Sequence, residues 1–348
     1  MSSPTLGTLA ELPTDYLSAL EKVNAAPAWP SLRSLIPEGA PDHKTLAHQW
    51  KYKELRPLLL RAGDLTPMDR AERRVLMLAN PGLDKPFATA SIFFGLQLIL
   101  PREVAPNHRH SASAVRLIIE GEGAFTTVEG QRCEMHRGDV ILTPAHLWHE
   151  HEHSGSGPMA WLDALDVPVM LAMEAVYGEP GTLQQHNHRP DSSQTRYRRA
   201  GLLPYNRLGK QANSYPQFRF PWNEVRSALV DLSKDTPPGE PIQLAYVNPE
   251  TGLSCMPTLG FSALMIRPGE EVNMPPDTAS RGYLVIEGSG KTYLADGKEF
   301  SWEENDVLAF PTHSRIRHAN ASNSAPAFLI QVDDAPMQRH LGFYEALV

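Results

Sequence analysis

The sequence predicts a mainly β protein that is built from two copies of one barrel and preceded by a helical arm. Between residues 115 and 144, short runs of branched residues alternate with glycine and proline, which is typical of strands in a sandwich or barrel. The pattern then recurs. Leu284-Val-Ile-Glu-Gly-Ser-Gly290 matches Leu117-Ile-Ile-Glu-Gly-Glu-Gly123, and Asn305-Asp-Val-Leu-Ala-Phe-Pro311 matches Gly138-Asp-Val-Ile-Leu-Thr-Pro144. Both pairs share an offset of 167 residues, so we expect two barrels of the same architecture.

The 348 residues are enough for two domains and their connections. We expect an N-terminal helical arm over residues 1–80 and a first barrel over 81–175. A linking region with little regular structure should cover 176–240, followed by a second barrel over 241–348. Within the arm, helical spacing predicts helices over 15–24 and 50–62, the second one containing Pro57 and ending at Gly63.

The composition is that of an ordinary soluble protein, with 41% hydrophobic residues and a net charge of −8. The mild acidity argues against nucleic acid as a partner. No apolar run reaches membrane-spanning length, and the first residues lack a basic, apolar signal region. The only cysteines, Cys133 and Cys255, set no disulfide framework, so we expect a cytoplasmic protein with no membrane partner.

The candidate site is a group of histidines on either side of the first glycine-rich turn. Residues two apart on a strand point to the same side, so His108 and His110 would share a face. A third imidazole, brought back about forty residues later from the stretch 146–153, would complete a three-nitrogen metal site with open positions. Imidazole binds iron, copper, zinc and nickel, so the cluster alone does not identify the metal.

The stretch His149-Glu150-His151-Glu152-His153 also matches the H-E-x-x-H motif of zinc proteases letter for letter. That motif requires a helix, in which residues four apart share a face. Here Thr143-Pro144 precedes the stretch and Ser154-Gly-Ser-Gly-Pro158 follows it, which leaves barely two helical turns. We therefore expect a strand and no protease site.

The histidine segment resembles the cupin family, whose two blocks are G-x5-H-x-H-x3–4-E-x6-G and G-x5-P-x-G-x2-H-x3-N. Gly138, Pro144 and His149 fit the second block. In the first block, the position of the usual glutamate ligand is taken by Ala114. The resemblance implies a bicupin made of two double-stranded β-helix or jelly-roll barrels. The metal ligands it implies are His108, His110 and His149, without a carboxylate.

The second barrel departs from the cupin pattern at every ligand position. The offset of 167 residues places Pro275, Asp277 and Ile316 opposite the three expected ligands. Only His318, opposite His151, is retained. We therefore expect the second barrel to have lost its metal site and to be structural.

Further segments resemble the gentisate 1,2-dioxygenase family, which includes salicylate and 1-hydroxy-2-naphthoate dioxygenases. The resemblance covers nearly the whole chain. It is carried by Pro27-Ala-Trp-Pro-Ser-Leu32, Trp50-Lys-Tyr-Lys-Glu-Leu-Arg-Pro57, Ala71-Glu-Arg-Arg-Val-Leu-Met-Leu-Ala-Asn-Pro-Gly82 and a histidine block close to P-x-H-R-H-x3-A-x-R. It implies Fe(II) as cofactor, dioxygen as co-substrate and a homotetramer.

The reaction implied is ring opening of an ortho-hydroxy aromatic carboxylate between the carboxyl- and hydroxyl-bearing carbons. We expect gentisate as the substrate, with salicylate or 1-hydroxy-2-naphthoate as alternatives. A non-catalytic bicupin that binds a small ligand is the alternative from another class, since both classes share the fold.

Charge balance extends the prediction to the substrate pocket. Three neutral imidazoles leave a divalent metal with its full charge, which a chelating dianion would offset. Arg116 is expected to hold the substrate carboxylate, with Arg73 or Arg74 as the alternative partners. By resemblance, Gln97 and His151 contact substrate or dioxygen, His151 as acid or base. The last two expected pocket residues are Gly95, leaving room for the ring, and Asp163, orienting an imidazole.

Overall fold

The computed structural model describes residues 7–181 and 188–347, which divide into two units at residue 44. The first unit is short and helical, and none of its described residues is buried. Its single longer helix overlaps the predicted one over residues 15–22 but ends two residues earlier, and Pro13 directly precedes it. The elements of this unit are the 3₁₀ turns Leu9–Glu11 and Trp29–Ser31, and the helices α1 (Thr14–Lys22) and α2 (Leu32–Leu35).

The second unit, from Thr45 onward, contains the remaining helices. They are α3 (Tyr52–Leu65), α4 (Met68–Ala71), α5 (Val167–Ala172), α6 (Ser193–Tyr197), α7 (Trp222–Leu232) and α8 (Ala335–Leu341), with a 3₁₀ turn at Tyr205–Arg207. The helix α3 contains Pro57, as predicted, and continues two residues beyond Gly63. None of the helices in the described ranges has the length and apolarity needed to cross a bilayer.

The first half of the second unit forms a barrel of two sheets. The strands up to residue 220 are β1 (His48–Trp50), β2 (Arg74–Met77), β3 (Phe93–Ile99), β4 (Val104–His110), β5 (Ala114–Glu120), β6 (Ala124–Val128), β7 (Gln131–Glu134), β8 (Val140–Thr143), β9 (His149–His153), β10 (Met159–Leu165), β11 (Gly178–Pro180), β12 (Arg189–Pro190) and β13 (Arg219–Phe220). One sheet has the order β13-β8-β5-β10-β3-β2 and the other β11-β4-β9-β6-β7-β12. Apolar side chains of both sheets, including Ile118, Val128 and Trp161, form the core between them. The strands β6 and β8 lie within the stretch 115–144, in which the sequence predicts short strands.

The second barrel repeats this arrangement. Its strands are β14 (Ile242–Ala245), β15 (Gly260–Ile266), β16 (Glu271–Asn273), β17 (Arg281–Glu287), β18 (Gly290–Leu294), β19 (Glu299–Trp302), β20 (Val307–Phe310), β21 (Ile316–Asn320) and β22 (Ala327–Asp333). They form sheets of order β1-β20-β17-β22-β15-β14 and β16-β21-β18-β19. Because β17 repeats β5 and β21 repeats β9 at the offset of 167 residues, the expected duplication of a mainly β barrel is confirmed.

The two barrels exchange edge strands. The strand β1, which precedes the first barrel in sequence, pairs with β20 of the second barrel, and β13, which precedes the second barrel, pairs with β8 of the first. The helix that follows each exchanged strand is anchored to the barrel that the strand has joined. At the start of α3, the Tyr52 N–H donates to Asp306 Oδ1 of the second barrel (2.9 Å); at the start of α7, the Trp222 N–H donates to Asp139 Oδ1 of the first (2.8 Å). Both exchanges cover backbone groups that a sheet edge would otherwise expose.

These exchanges change the expected boundaries. Residues 1–80 were expected to be a helical arm, yet this range contains two strands: β1 pairs with β20 of the second barrel, and β2 pairs with β3 of the first. The expected linking region, 176–240, contains β11, β12 and β13 at the edges of the first barrel, together with α6 and α7. Local periodicity cannot show this, because an edge strand of two or three residues has no periodic signal of its own. Residues 1–6, 182–187 and 348 of the expected segments lie outside the described part.

The barrels pack against each other through a shared apolar core. Phe94 of β3 and Leu284 of β17 belong to one cluster of buried residues. The approach is close at Gly282, because a Cβ built there would lie 2.2 Å from the Phe94 ring. Only a residue without a side chain fits at this position without displacing the ring.

Candidate metal centre

Three imidazoles from two neighbouring strands converge inside the first barrel. His108 and His110 lie on β4, and His149 on β9 is the direct cross-strand partner of His108. The ring centroids of His108 and His149 are 4.2 Å apart, and those of His110 and His149 are 4.9 Å apart. One ligand nitrogen of each ring lies within 4.8 Å of those of the other two. The structure therefore brings the three expected ligands together.

Backbone carbonyls fix the orientation of two of these rings. His110 Nδ1 lies 2.6 Å from the Ala112 carbonyl oxygen, and His149 Nδ1 lies 3.0 Å from that of Leu147. A carbonyl only accepts, so in each ring Nδ1 carries the proton and Nε2 keeps its lone pair. His149 Nε2 is buried and has no hydrogen-bond partner among the described residues. A bound metal ion would satisfy this orphaned lone pair.

The surroundings keep the imidazoles neutral. Burial, followed by the charge of Arg73, lowers the pKa of His108 to about 2, and burial lowers the pKa of His110 to about 4. Burial, followed by the charge of Arg116, also lowers the pKa of His149 well below its usual value. Metal ligation requires the neutral imidazole, so the three rings are in the ligating protonation state across the physiological range.

The donor set within the described residues is three nitrogens without a carboxylate. Ala114, at the cupin glutamate position, is buried and belongs to β5. The only group of histidine, cysteine or acidic side chains with metal-ligand spacing in the described ranges is the three-histidine cluster itself. The set fits a borderline metal with open coordination positions.

Arg116 lies inside the barrel and not on its outer face, with only 3% of its surface exposed. Its Nε donates to His151 Nε2 (3.2 Å) and its Nη1 to Thr143 Oγ1. Thr143 can accept because its own hydroxyl donates to the Ala114 carbonyl (3.1 Å). Two fixed acceptors hold the guanidinium, while Nη2 makes no hydrogen bond within the described residues.

His151 is held by a chain of hydrogen bonds that leads away from the metal cluster. Because arginine cannot accept, His151 Nε2 must be the acceptor for Arg116, so its Nδ1 carries the proton. That proton points at Thr126 Oγ1 (3.0 Å), and the Thr126 hydroxyl donates in turn to Met135 Sδ (3.3 Å). His151 is fully buried, and burial lowers its pKa. Thr126 and Thr143 were not identified from the sequence, since a lone threonine on a strand gives no functional signal.

The contacts of Asp163 differ from those expected. This residue was expected to orient an imidazole, but its Oδ1 lies 3.6 Å from Arg116 Nε and accepts from Trp161 Nε1 (3.0 Å). Among the described residues it therefore orients an arginine. Burial raises the pKa of Asp163 to about 6, against the opposing effect of Arg116. The cause is the strand register, which places Asp163 directly opposite Arg116.

The space beside Gly95 also differs from what was expected. Gly95 is the cross-strand partner of Asp163, so it lies on the same face of the sheet as Arg116. The space beside it does not form a recess, because a Cβ there would meet Val75 Cγ1 at 2.5 Å and the Phe93 ring at 2.9 Å. Val75 comes from β2, whose position in this sheet was not expected.

Gln97 lies two residues after Gly95 on β3, so the two residues share a face of the sheet, and Gln97 is paired with Trp161 of β10. Gln97 is 2% exposed, and its Nε2 has no hydrogen-bond partner among the described residues. A buried amide without an acceptor is costly, so this donor is available for a ligand.

A second arginine, Arg73, acts on the cluster electrostatically, whereas Arg74 does not. Arg73 Nη2 donates to the Pro106 carbonyl (2.7 Å), and its charge contributes to the lowered pKa values of His108 and His151. Burial, followed by the charge of Arg116, lowers the pKa of Arg73 to about 9. Arg74 is paired instead with Glu103.

The stretch 149–153 is a strand, as expected, so the H-E-x-x-H match has no helical geometry behind it. His153 is not part of the cluster. Its Nε2 contacts the Gly157 carbonyl (2.6 Å) and its Nδ1 accepts from the Gly155 N–H (3.2 Å). It fixes the turn between β9 and β10.

Comparisons with known proteins agree with this geometry. The cupin domain family matches residues 95–165. A gentisate 1,2-dioxygenase of Ralstonia sp. is 44% identical, over 99% of this chain and 96% of that protein. A 1-hydroxy-2-naphthoate 1,2-dioxygenase of Nocardioides sp. (strain KP7) is 34% identical, over 87% of this chain and 79% of that protein.

A solved structure of salicylate 1,2-dioxygenase from Pseudoaminobacter salicylatoxidans, as an adduct with gentisate, superposes with a TM-score of 0.88 at 30% identity. It covers 98% of this chain and 96% of that one. The non-catalytic alternative is therefore not supported. The near-complete coverage and the cupin architecture of the histidine site show that this chain is a bicupin ring-cleaving dioxygenase and belongs to the gentisate 1,2-dioxygenase family.

Proposed function

We propose that the protein is an Fe(II)-dependent gentisate 1,2-dioxygenase. It would open gentisate with dioxygen between the ring carbons that carry the carboxyl and the ortho hydroxyl group. The observation that carries the proposal is a cluster of three neutral imidazoles within 4.8 Å of one another, facing a buried arginine. His108, His110 and His149 would hold the metal.

Iron is supported by the donor set together with the reaction. Zinc fits three imidazoles but has no redox chemistry, whereas dioxygen insertion needs a metal that passes electron density between substrate and oxygen. Iron bound to three neutral ligands would supply that redox chemistry and open positions for a bidentate substrate. The remaining roles belong to side chains of this chain.

The substrate charge complements the pocket. Arg116 would pair with the substrate carboxylate through its open Nη2, and Arg73 would add a second positive charge near the same cluster. Asp163, with its pKa raised by burial, offsets only part of this charge. A carboxylate with an ortho hydroxyl brings the missing negative charge to both the arginines and the metal.

Two further groups would position the reactants. Gln97 Nε2 is a buried donor without an acceptor, which suits a hydroxyl or carboxylate oxygen of the substrate. His151 would act by holding Arg116, since its Nε2 already accepts from the guanidinium. An acid or base role for His151 would require Arg116 to release this nitrogen during the reaction.

Gentisate is preferred over a two-ring substrate on the basis of the pocket wall. The space beside Gly95 is filled by Val75 and Phe93, so that face provides no extra recess. The Ralstonia sp. relative at 44% identity, a gentisate 1,2-dioxygenase, supports the same assignment. We expect a higher kcat/KM for gentisate than for salicylate or 1-hydroxy-2-naphthoate.

Anaerobic reconstitution with Fe(II), followed by oxygen uptake with the three acids, tests the function. Gentisate turnover that depends on iron, with ring-opened product containing both atoms of ¹⁸O₂, is the expected result. No oxygen uptake with any of the three acids at full iron content would contradict it.

We also propose a cytoplasmic homotetramer. Cys133 and Cys255 are both free thiols, which suits a reducing compartment. In residues 7–44 no described residue is buried, although Leu9, Trp29, Leu35 and Ile36 are large and apolar. A surface of another subunit would cover them. Light scattering on the full chain, compared with a chain lacking residues 1–44, tests whether this segment supports the tetramer.

A further inference from the structure

The second barrel contains a large cavity on its inner face, although its metal ligands are lost. The cavity has a volume of about 950 Å³, within the range of small-molecule sites. Its position follows from the strand registers. In the first barrel the row across the sheet is Arg116, Asp163, Gly95 and Met77. In the second barrel the matching row is Tyr283, Gln331, Ser262 and Ala245, and the last three line the cavity.

The inner wall of this cavity carries a buried arginine. Arg281 occupies the position that Ala114 has in the first barrel, at the start of the equivalent strand. The residue is 5% exposed, and its Nη2 pairs with Asp277 Oδ2 (2.5 Å). Its Nε and Nη1 have no hydrogen-bond partner among the described residues. Buried N–H groups of a charged side chain require an acceptor, and the adjoining cavity provides space for one.

Two arginines and two aspartates line the cavity, and one of these arginines has no carboxylate partner among the described residues. Asp277 offsets Arg281 and is itself held by the Tyr344 hydroxyl (3.0 Å). Asp333 accepts from Gln331 Nε2 (2.8 Å) and from the Ala335 N–H (3.0 Å), and burial raises its pKa. Arg339 lies at the exposed rim over the Tyr344 ring, and no carboxylate in the described ranges forms an ion pair with it.

Much of the remaining wall is apolar, and its polar side chains include Gln243, Asn248 and His340. Buried side chains of Met256, Phe261 and Met274 line the cavity. Tyr246 also lines it, and the hydroxyl of this buried side chain has no partner among the described residues. The combination suits a ligand with one acidic end and an apolar body.

We propose that the second barrel binds a small organic carboxylate, with Arg281 as the residue that recognises it. The fixed guanidinium takes the place of the metal as the cation of this barrel. The site is independent of the ring-cleaving reaction and contains none of the residues of the metal centre.

Titration calorimetry of the metal-free full chain with benzoate tests the proposal. Benzoate carries the carboxylate without the ortho hydroxyl. The Arg116→Gln variant, which removes the arginine expected to bind a carboxylate at the metal centre, is expected to retain a benzoate site. Adding Arg281→Gln should weaken that binding at least about tenfold. Benzamide, without the charge, should bind about tenfold more weakly than benzoate.

A second variant covers the case in which Arg281→Gln fails to fold. Ala245→Trp fills the cavity from its exposed edge and leaves Arg281 and Asp277 in place, so it should abolish benzoate binding in the Arg116→Gln protein. The proposal is overturned if Arg116→Gln protein binds no benzoate up to about 10 mM. It is also overturned if Ala245→Trp leaves binding unchanged, or if benzamide binds as tightly as benzoate. Gentisate turnover by the wild-type protein is measured separately, so failure of the ring-cleaving assignment is distinguishable.

Discussion

Replacing Thr126 by valine removes the hydroxyl that receives the His151 Nδ1 proton, at almost constant volume. The buried imidazole then has an unsatisfied donor, which typically costs about 1–3 kcal/mol. His151 can avoid this cost by turning or by changing tautomer. In either case its Nε2 no longer accepts from Arg116, and the guanidinium loses one of its two fixed acceptors.

We therefore expect kcat/KM for gentisate to fall about tenfold or more, corresponding to at least about 1.4 kcal/mol of transition-state stabilisation. Iron content should be unchanged, because Thr126 contacts no ligand of the cluster. Steady-state oxygen uptake with iron measured in the same sample is the assay, and Thr126→Ser should restore activity by returning the hydroxyl.

The second barrel offers a matched control. Thr292 Oγ1 contacts His318 Nδ1 (2.8 Å) in the equivalent position, but no arginine donates to His318 Nε2 among the described residues. Thr292→Val should lower the free energy of unfolding, since Trp302 Nε1 also loses its acceptor, and leave kcat/KM unchanged. Equal kcat/KM for Thr126→Val and wild type, or equal losses in the two variants, would refute the reasoning.

Four further outcomes are expected. Arg116→Ala should lose on the order of 2–5 kcal/mol of transition-state stabilisation with normal iron content, and Arg116→Lys should recover only part of it; oxygen uptake checks both. Alanine at His108, His110 or His149 should abolish the single iron per chain, whereas His151→Ala should keep it, as metal analysis will show. Gly282→Ala should destabilise the protein by about 1–3 kcal/mol because of the Phe94 ring, whereas Gly157→Ala, with nothing within 4 Å, should not; denaturant unfolding compares them. The free energy of unfolding of the metal-free protein, measured by denaturant unfolding, should fall as the pH is lowered from 6.5 to 4. In this range the unfolded chain protonates its histidines, whereas folded His110, with a pKa of about 4, stays neutral; His108, His149 and His151 act in the same direction. The raised pKa of Asp163 has the opposite, smaller effect, because the folded state binds that proton first.

The sequence was informative where the signal is local or repeated. The strands at 124–128 and 140–143 follow from their residues and flanking turns, and the duplication follows from one shared offset. The convergence of His108, His110 and His149 could also be predicted, since the cupin spacing selects one of three histidines that share a strand face. Alternation alone leaves that choice open.

Contacts between distant segments could not be predicted in this way. The filled space beside Gly95 depends on Val75, whose strand joins the sheet from a region without a clear strand pattern. The pairing of Asp163 with Arg116 depends on the register of β10 against β5, which includes an irregularity near Trp161. The tautomer of His151, with the proton on Nδ1, depends on Thr126, which is twenty-five residues away along the chain. These are tertiary relations, and a single sequence contains no separate signal for them.

Because of the exchanged edge strands, no single cut between the two barrels leaves both of them with all their strands. A fragment ending before residue 219 would lose β13, which borders β8 and, through it, the strand that carries Arg116. A fragment beginning after residue 77 would lose β1 from the second barrel and β2, with Val75, from the first. A fragment ending at residue 232 would keep β2 to β13, but it would expose apolar side chains, such as Phe94, that pack against the second barrel. Loss of the metal ligands from the second copy leaves this shared apolar core in place, whereas loss of the copy itself would expose it to solvent.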